Sequence, residues 1–496
     1  MTIFKFRLHF AVVFMLFCCT TYGHRILGLF PHPGMSHFQF FHPVMKALAE
    51  AGHEVTVVSH FPSKVPIENY IDEPLSGMQE LTNFVSLDWF ANPKPYDHLL
   101  EFFMLYQWGV EACDHTLNSS ALKNVLNKGE AFDLIIVEQF NTDCMLGVAH
   151  KLKAPVIGLS SCNIMPWHFS QIGLPFEPGF YPTTFIGGSD HMSFYMRLSN
   201  WFTFVYMNMM FRFFAQPATN ELLSRRFGND IPNLSVLTKK VSLMFVNQHY
   251  ALSGAKHLSP NVIELGGIHI EKMKKLDSEL QDFLDTAEHG IIYISFGSMV
   301  RAETLPEDKR EAILHSLGQL KQRVLWKWEN ETMPNQPANV FIRKWMPQRD
   351  ILCHPNFYGD QFLNGAAMEK RGMAVILKYR DISKDSVFQA LSKALDPRMQ
   401  ENAKKVAYSY THRPMTPKQS AVYWAEYVIA TGGASLTRPH TADSNWFIYA
   451  VLDIYLFVIA TIGLTITSWI YLWRKVFGKA IEEPKNPQNS TKRKTK

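Results

Sequence analysis

Residues that build metal sites and disulfide frameworks are scarce in this sequence. Only six of its 496 residues are cysteine, and no two of them have the Cys-x-x-Cys spacing that is typical of zinc ligands. No two aspartates have the Asp-x-Asp spacing that could hold a divalent ion on a diphosphate. We therefore expect no metal site and no bound cofactor.

The cysteines leave the redox chemistry open. Cys18 and Cys19 fall within an N-terminal leader, so four remain in the body of the chain, namely Cys113, Cys144, Cys162 and Cys353. Two disulfides could form among them in an oxidising compartment. So sparse and widely spaced a set nevertheless favours buried free thiols.

A net positive charge is found only at the C-terminus. The whole chain has a net charge of +5, and residues 474–496 alone, with eight basic and two acidic residues, carry +6. The rest of the chain is close to neutral and has no basic patch, so nucleic acid is not an expected partner.

The two ends of the chain predict secretion and membrane attachment. Residues 1–23 have the basic start, short apolar core and small-residue exit of a signal peptide. Residues 454–473 are 20 uncharged, mostly apolar residues, which is the length of a membrane-spanning helix. The basic tail 474–496 then predicts a single-pass protein with a lumenal body and a cytosolic tail. Candidate glycosylation acceptors in that body are Asn118, Asn233 and Asn330.

Between these ends the apolar pattern predicts an α/β fold. Short apolar runs typical of buried parallel strands alternate with segments of helical pattern. Strands are predicted at residues 25–30, 54–59, 132–137, 155–159, 241–247, 262–265, 291–295, 323–327, 340–343 and 374–377. Helices are predicted at residues 39–51, 306–320 and 361–371. Residues 24–247 and 248–445 would form two doubly wound domains that face a cleft.

One segment, residues 191–215, is dominated by Met, Phe, Trp and Tyr, and Arg197 and Arg212 are nearly its only charges. A buried or half-buried helix would have this composition. A surface that lines an apolar pocket, or one that lies against a membrane interface, would have it too.

Three short motifs carry most of the functional information. Ser295-Phe296-Gly297-Ser298 and Trp345-Met346-Pro347-Gln348 each follow a predicted strand, and the third motif is Gly359-Asp360-Gln361. Together they resemble the nucleotide-sugar site of the UDP-glycosyltransferases, most closely the membrane-bound animal and insect enzymes. The resemblance covers almost the whole chain, from about residue 24 to the tail.

This resemblance implies a fold and a donor site. The family has two Rossmann-like domains facing a cleft, the GT-B arrangement, and binds the UDP-sugar without a metal. By resemblance, Trp345 stacks on uracil, Gln348 reaches the nucleoside, and Asp360 and Gln361 hold sugar hydroxyls. The diphosphate would receive backbone amides, and here Gly297 and Ser298 could supply part of them.

The stretch between Gln348 and Asp360 is too short for what the family places there: a strand, a His-Gly-Gly loop for the diphosphate, a helix with a ribose-binding Glu, and another strand. Only the eleven residues 349–359 separate the two motifs, whereas a strand–helix–strand crossover needs roughly 30 or more. We therefore predict that one continuous block is missing near residues 355–359. The C-terminal domain would be at least one strand short, and diphosphate binding would be impaired.

The candidate catalytic base lies in the other half. Ser36-His37-Phe38 follows the first predicted strand and matches the family segment whose His deprotonates the acceptor hydroxyl. A base of this kind needs a carboxylate to orient its ring. Glu138, at the end of a predicted strand where the family has Asp, is the preferred partner, and Asp143, in the loop beyond, is the rival.

These observations predict a UDP-glycosyltransferase of the endoplasmic reticulum membrane. It would transfer a hexose, with inversion, to a hydroxyl of a small lipophilic acceptor. The alternative is a non-catalytic binding or regulatory isoform that pairs with full-length relatives, so homo- or hetero-oligomers are expected partners. A lipid- or odorant-binding membrane protein is a weaker third interpretation. The acceptor, and the choice between glucose and glucuronic acid, stay open.

Overall fold

The computed structural model describes residues 23–78, 85–90, 94, 96–179, 181–186, 192–270, 274–297, 299–348, 351, 357–359, 365–444 and 446–477. Described residues up to Ala442 form one compact unit, and those from Asp443 onward form a second. The first unit contains both of the parallel sheets that the alternation of strands and helices predicted. A domain boundary between residues 247 and 248 stays a prediction, because both sheets belong to this unit.

The larger sheet has seven parallel strands in the order β3-β2-β1-β5-β6-β7-β8, and the smaller has four in the order β12-β11-β9-β13. A short parallel pair joins β4 to β10. The strands are β1 (Arg25–Leu29), β2 (Glu54–Ser59), β3 (Tyr70–Pro74), β4 (Val85–Ser86), β5 (Leu134–Glu138), β6 (Val156–Ser160), β7 (Val241–Val246), β8 (Val262–Glu264), β9 (Ile291–Ile294), β10 (Val300–Arg301), β11 (Arg323–Lys327), β12 (Val340–Arg343) and β13 (Phe357–Gly359).

Helices cover both faces of the larger sheet. The helices of the first unit, around both sheets, are α1 (Met35–Glu50), α2 (Asp97–Asn118), α3 (Ser120–Asn127), α4 (Met145–Leu152), α5 (Phe194–Met210), α6 (Gln216–Phe227), α7 (Leu234–Leu237), α8 (Tyr250–Ser253), α9 (Ser278–Asp285), α10 (Glu307–Gly318), α11 (Gly365–Lys370), α12 (Lys384–Ala394), α13 (Pro397–Thr411) and α14 (Pro417–Ala430). The second unit has α15 (Trp446–Tyr449) and α16 (Leu452–Phe477). A π-helical turn, Phe211–Ala215, continues α5.

Alternate residues of β1 explain why its sequence is apolar throughout. Ile26 faces one core, with Val44 of α1, and Leu27 faces the other, with Leu122 of α3. A parallel strand that is buried on both faces has no solvent side for polar residues. The chain also returns to this sheet near the end of the unit, since Ala421, Ala425 and Val428 of α14 pack in the same core as Ile26.

The smaller sheet departs from the prediction at one place. Residues 374–377 were predicted as a strand, but the structure has no strand there, and Ile376 is exposed. The strand beside β9 is instead β13, Phe357–Gly359, in register with Ile291–Tyr293. An apolar run of four residues has no periodicity that tells a strand from a loop, so the prediction was wrong.

The two ends of the chain differ in what the structure describes. The predicted leader, residues 1–22, and the tail, residues 478–496, lie outside the described residues. Helix α16 contains the predicted span 454–473, extends it to 26 residues, and is long and apolar enough to cross a membrane. It is the only such helix among the residues that the structure describes.

A disulfide joins Cys113 of α2 to Cys144, which precedes α4, so the prediction of free thiols was wrong for this pair. Both cysteines are fully buried in one core, with their Cα atoms 5.8 Å apart. Sequence spacing carried no sign of this proximity, which arises because α2 and α4 pack on the same face of the sheet. Cys162 carries a free thiol, and Cys353 lies outside the described residues.

We expect the variant Cys113→Ala/Cys144→Ala to lose about 3–4 kcal/mol of unfolding free energy, because the bond closes a loop of 31 residues in the unfolded chain. Thermal unfolding in detergent with and without dithiothreitol measures this loss. The control Cys162→Ala should unfold like the parent protein and keep its response to the reductant. A parent midpoint that does not respond to reductant would contradict the assignment.

Candidate active site

His37 lies in the first turn of α1, which begins at Met35, four residues before the predicted start. The helix begins early because Gly34 is extended and the carbonyl of Gly34 accepts hydrogen bonds from the N–H groups of His37 and Phe38. The turn from β1 into α1 therefore holds the His37 ring at the carboxyl end of the sheet. Its side chain is 16% exposed, so the ring is half-buried but reachable.

Glu138 is the last residue of β5, the strand that pairs with β1. Its Oε1 lies 2.8 Å from Nδ1 of His37, and its Oε2 accepts a hydrogen bond from the backbone N–H of His32 at 3.2 Å. Both carboxylate oxygens are thus engaged, and the side chain is held between the ends of two neighbouring strands. The structure brings together the two residues that the sequence analysis preferred as base and partner.

Asp143, the rival carboxylate, takes part in a different network. Its Oδ1 accepts from the side-chain amide of Gln139 at 3.3 Å, and its Oδ2 accepts from that of Gln171 at 3.0 Å. His168 Nε2 lies 3.5 Å from Oδ1. All of these groups are buried. Asp143 is therefore paired within the core, away from His37.

His32 is a member of the site that sequence reasoning missed. Its ring lies 4.4 Å from the His37 ring and 5.3 Å from the Phe140 ring, centroid to centroid. A Cβ at Gly34 would stand 2.8 Å from the His32 ring, so this packing requires glycine at that position. The pattern Pro31-His32-Pro33-Gly34 directly after a strand was the available signal, because two prolines and a glycine restrict this backbone.

Burial controls the protonation of this site. It raises the pKa of Glu138 to about 7, although the nearby His32 opposes the shift. It lowers the pKa of His37 to about 4 and that of His32 to about 3. Both rings are therefore neutral at pH 7. When Glu138 is ionised, the His37 proton lies on Nδ1 and points to the carboxylate, which leaves Nε2 as a lone-pair acceptor.

An aromatic cluster lies beside this pair. Phe140 packs edge-on against His37, with ring centroids 4.5 Å apart. The backbone carbonyl of Phe140 accepts a hydrogen bond from the indole N–H of Trp167 at 2.9 Å. Trp167 in turn stacks on Phe211 at 4.7 Å, in a core that also contains Phe102. His37 is thus next to an aromatic cluster, whose partly exposed member Phe140 can pack against an apolar ligand.

The candidate donor residues follow two strands of the smaller sheet. Gly297, after β9, has a φ of +88°, a backbone conformation that glycine adopts more readily than residues with a side chain. There is open space where a side chain would stand. Trp345, after β12, is 58% exposed, as expected for a stacking face, and Gln348 is partly buried. Because parallel strands end at one edge, these positions share the carboxyl edge of the sheet. Ser298, Asp360 and Gln361 lie outside the described residues.

Two hydrogen bonds from backbone N–H groups connect the loop after β9 to the half of the unit that contains the larger sheet. The backbone N–H of Val85 donates to the carbonyl of Met299 at 2.8 Å, and that of Leu87 donates to Thr304 Oγ1 at 2.8 Å. Residues 85–87 follow β3, whereas residues 299–304 follow Gly297. The loop after β9 is therefore held by a loop of the half that carries His37.

Comparison with known proteins gives a consistent result. The profile of the family described as "UDP-glucoronosyl and UDP-glucosyl transferase" matches residues 29–357 and 356–486, in two segments. The chain is 33% identical to "UDP-glucosyltransferase 2" of Dactylopius coccus over 488 residues, covering 92% of this chain and 94% of the relative. It is 25% identical to "UDP-glucuronosyltransferase 2B15" of Rattus norvegicus, with coverage of 92% and 94%.

Solved structures with this fold are more distant in sequence. "Spinosyn Forosaminyltransferase SpnP" has a TM-score of 0.54 at 15% identity and is matched over 82% of this chain and 99% of its own. "LpCGTa in complex with UDP" has a TM-score of 0.50 at 15% identity, with coverage of 82% and 100%. This likeness supports the predicted arrangement of two α/β halves.

Proposed function

Because this chain belongs to the UDP-glucuronosyl and UDP-glucosyl transferase family, we propose that it is built to transfer a hexose from a UDP-sugar to a small lipophilic hydroxyl. The observation that carries the proposal is the hydrogen bond between His37 Nδ1 and Glu138 Oε1, beside the aromatic ring of Phe140. The acceptor is an apolar molecule with a hydroxyl group, because one end of the site is aromatic and the other is a base.

In the proposed reaction, Nε2 of His37 takes the proton of the acceptor hydroxyl. The acceptor oxygen then forms a bond to the anomeric carbon on the side opposite the diphosphate, and the bond from that carbon to the diphosphate breaks. UDP leaves with the electron pair, so the anomeric configuration inverts. Glu138 orients the ring and offsets the positive charge that develops on it.

The donor would bind at the carboxyl edge of the smaller sheet. Trp345 offers an exposed face for uracil, and Gln348 follows it for the nucleoside. Gly297 and Ser298 would direct backbone amides to the diphosphate, and Asp360 and Gln361 would bind the sugar hydroxyls. These roles rest on the match of each motif to the family pattern, together with the exposure of Trp345 and the open loop at Gly297.

The donor site is incomplete in our proposal. The family profile matches in two segments that meet at residues 356 and 357, inside the short join. The alignment with the Dactylopius relative has 488 positions but covers 92% of the 496 residues here, about 456, so about 32 positions face no residue of this chain. A missing block of about that size accommodates the strand, diphosphate loop and helix that the resemblance implies.

The alternative function is that of a non-catalytic partner of full-length relatives. It is favoured by the contrast between the two halves. The larger sheet has seven strands and a formed His37–Glu138 pair, whereas the smaller sheet has four strands among its described residues. Such a protein would bind acceptors without turning them over. Turnover assays with and without a full-length relative separate the two functions.

We propose a single-pass topology with residues 1–23 as leader, α16 as anchor and residues 474–496 in the cytosol, in the endoplasmic reticulum membrane. The Cys113–Cys144 disulfide supports an oxidising, lumenal location for the body. Asn118, Asn233 and Asn330 are all exposed, as glycosylation requires. Glycosidase-sensitive shifts in electrophoretic mobility of the expressed protein test this topology.

Acceptor binding should strengthen about 3- to 10-fold between pH 6 and pH 8, because one net hydrogen bond contributes about 0.5–1.5 kcal/mol. The pKa of Glu138 is about 7. Above it, the carboxylate accepts from Nδ1, and Nε2 can accept from the acceptor hydroxyl. Below it, the protonated carboxyl donates to Nδ1 and Nε2 carries the proton. The phenol must then accept a hydrogen bond from Nε2, and a phenol oxygen accepts more weakly than the phenol O–H donates. Tryptophan quenching by 1-naphthol measures the affinity.

The control for this titration is Glu138→Gln, which keeps the shape of the side chain and removes the titration. Its affinity for 1-naphthol should be the same at both pH values and close to that of the parent protein at pH 6. An equal pH dependence in this variant, or the absence of quenching by any of a broad panel of phenols, would overturn the assignment.

A further inference from the structure

Leu87 comes from the half of the unit that contains the larger sheet, but its side chain is buried in the core of the smaller sheet. It is 5% exposed, and the other buried members of this core all lie between residues 292 and 340. Ala302 and Leu305, which follow β10, are among them, as is Trp326 of β11. Protein interiors are packed as densely as organic crystals, so a side chain inserted in this way restrains its neighbours. Leu87 is therefore a fixed point between the two halves.

Hydrogen bonds extend this contact along the backbone. β4, directly before Leu87, pairs in parallel with β10, and the N–H of Val85 donates to the carbonyl of Met299 at 2.8 Å. The N–H of Leu87 donates to Oγ1 of Thr304 at 2.8 Å, and this hydroxyl donates in turn to the carbonyl of Arg301 at 2.7 Å. The Thr304 hydroxyl thus joins a turn of the smaller sheet's half to the backbone of the other half.

The segment that receives these contacts begins two residues after Gly297, which would direct its amide to the diphosphate. Gly297 has a φ of +88°, and glycine restricts its backbone less than any other residue. The course of the chain beyond it must therefore be set by other contacts. The N–H of Glu303 donates to Glu329 Oε2 at 3.2 Å, and Glu329 Oε1 is paired with Lys327 Nζ at 2.8 Å. This pair and Leu87 support the same loop, one from each half.

We propose that Leu87 and Thr304 are positioning residues for the donor, which they do not touch. This inference rests on the proposed transferase function. A loop that offers backbone amides to a diphosphate binds it better when its shape is fixed in advance, because the loop then loses less conformational entropy on binding. The half that carries His37 thereby also shapes the donor site. Loosening Leu87 or Thr304 weakens donor binding and leaves acceptor binding unchanged.

Hydrogen exchange of the whole parent chain in detergent tests the contact itself. Thr304→Val keeps the shape of the side chain and removes the hydroxyl that bonds Leu87 and Arg301. The backbone amides of residues 85–87 and 299–304 should then exchange about tenfold faster than in the parent chain. Thr304→Ser, which keeps the hydroxyl, should exchange like the parent. Exchange in Thr304→Val at the parent rate would overturn the contact.

The affinity for UDP tests the positioning role, in a chimera that carries the block we propose is missing. Leu87→Ala should weaken UDP binding about 5- to 10-fold and leave the affinity for 1-naphthol within about twofold. Leu87→Met keeps most of the buried volume and should restore UDP binding. Leu75→Ala is the matched control, because Leu75 follows β3, is also 5% exposed, and lies in a core of the larger sheet. Its UDP affinity should equal that of the chimera.

The possible results separate this proposal from the function on which it rests. Equal losses of UDP affinity in Leu87→Ala and Leu75→Ala would show that Leu87 only stabilises the fold, and would overturn the positioning role. Unchanged UDP affinity in Leu87→Ala would overturn it as well. Failure of the chimera itself to bind UDP would overturn the proposed donor site, and the exchange experiment on the parent chain would still decide whether the contact exists.

Discussion

The parent chain should turn over UDP-glucose and UDP-glucuronic acid with phenol acceptors at least about 10²–10³ times more slowly than a chimera into which the block that we propose is missing has been inserted. Loss of one preorganised donor to a developing negative charge typically costs about 10²–10³ in rate, or roughly 3–4 kcal/mol. In our proposal the absent block would have supplied several such donors to the diphosphate leaving group, together with a ribose ligand. We therefore expect turnover by the parent protein to be near background.

The chimera receives the aligned block of the Dactylopius relative between Asn356 and Phe357, where the two matched segments meet. A Gly/Ser insert of equal length is the matched control and should leave the rate at the level of the parent. Assays with both UDP-sugars and a phenol panel give the comparison. Parent turnover equal to that of the chimera would show that the block is dispensable and that the donor site is complete without it.

In the restored chimera, His37→Ala should lower kcat by about 10²–10⁴, the range for a positioned general base. The reason is the geometry at His37: Nδ1 is held by Glu138 at 2.8 Å, and the ring is neutral because burial lowers its pKa to about 4. Glu138→Gln should lower kcat in the same direction, since an amide cannot offset the charge on the ring. The KM for the acceptor should rise by about 3- to 10-fold at pH 8 in both variants, because each loses the hydrogen bond from the acceptor hydroxyl to a free Nε2.

His42→Ala is the matched control, because His42 lies on the same helix but contacts Ser63 and Tyr70 instead of Glu138. Its kcat should stay within about threefold of the chimera, as expected for a side chain outside the reaction. Circular dichroism shows whether each variant is folded. A kcat for His37→Ala within tenfold of the chimera would remove His37 from the role of base.

The location of most strands could be predicted from the sequence. A parallel strand that helices cover on both faces is apolar throughout, so the sequence predicts the first and last residues of β2, β11 and β12 correctly. The last predicted strand failed because four apolar residues fit a loop as well as a strand, and the position beside β9 was taken by β13. The periodicity of side chains along one segment does not show which segment pairs with the edge strand of a sheet.

Part of the candidate site could also be predicted. His37 was identifiable from its motif and its place after β1. The choice between Glu138, at the end of β5, and Asp143, in the loop beyond, depended on the direction of each side chain. The structure pairs Glu138 with His37 and Asp143 with two glutamines. The sequence did not point to His32, because His32 donates to Glu138 through its backbone N–H. Every residue except proline carries this group, so it leaves no mark in the sequence.

The sequence by itself determined the family, the α/β class, the apolar stretch of α16 that is long enough to cross a membrane, and the short join between Gln348 and Asp360. Each of these depends on the order of residues along the chain. Only the tertiary structure decided that Cys113 bonds Cys144, that Glu138 holds His37, and that most large apolar side chains of α5 are exposed. The physical reason is the same in each case: composition reports what a side chain prefers, whereas its actual neighbours depend on how distant segments pack.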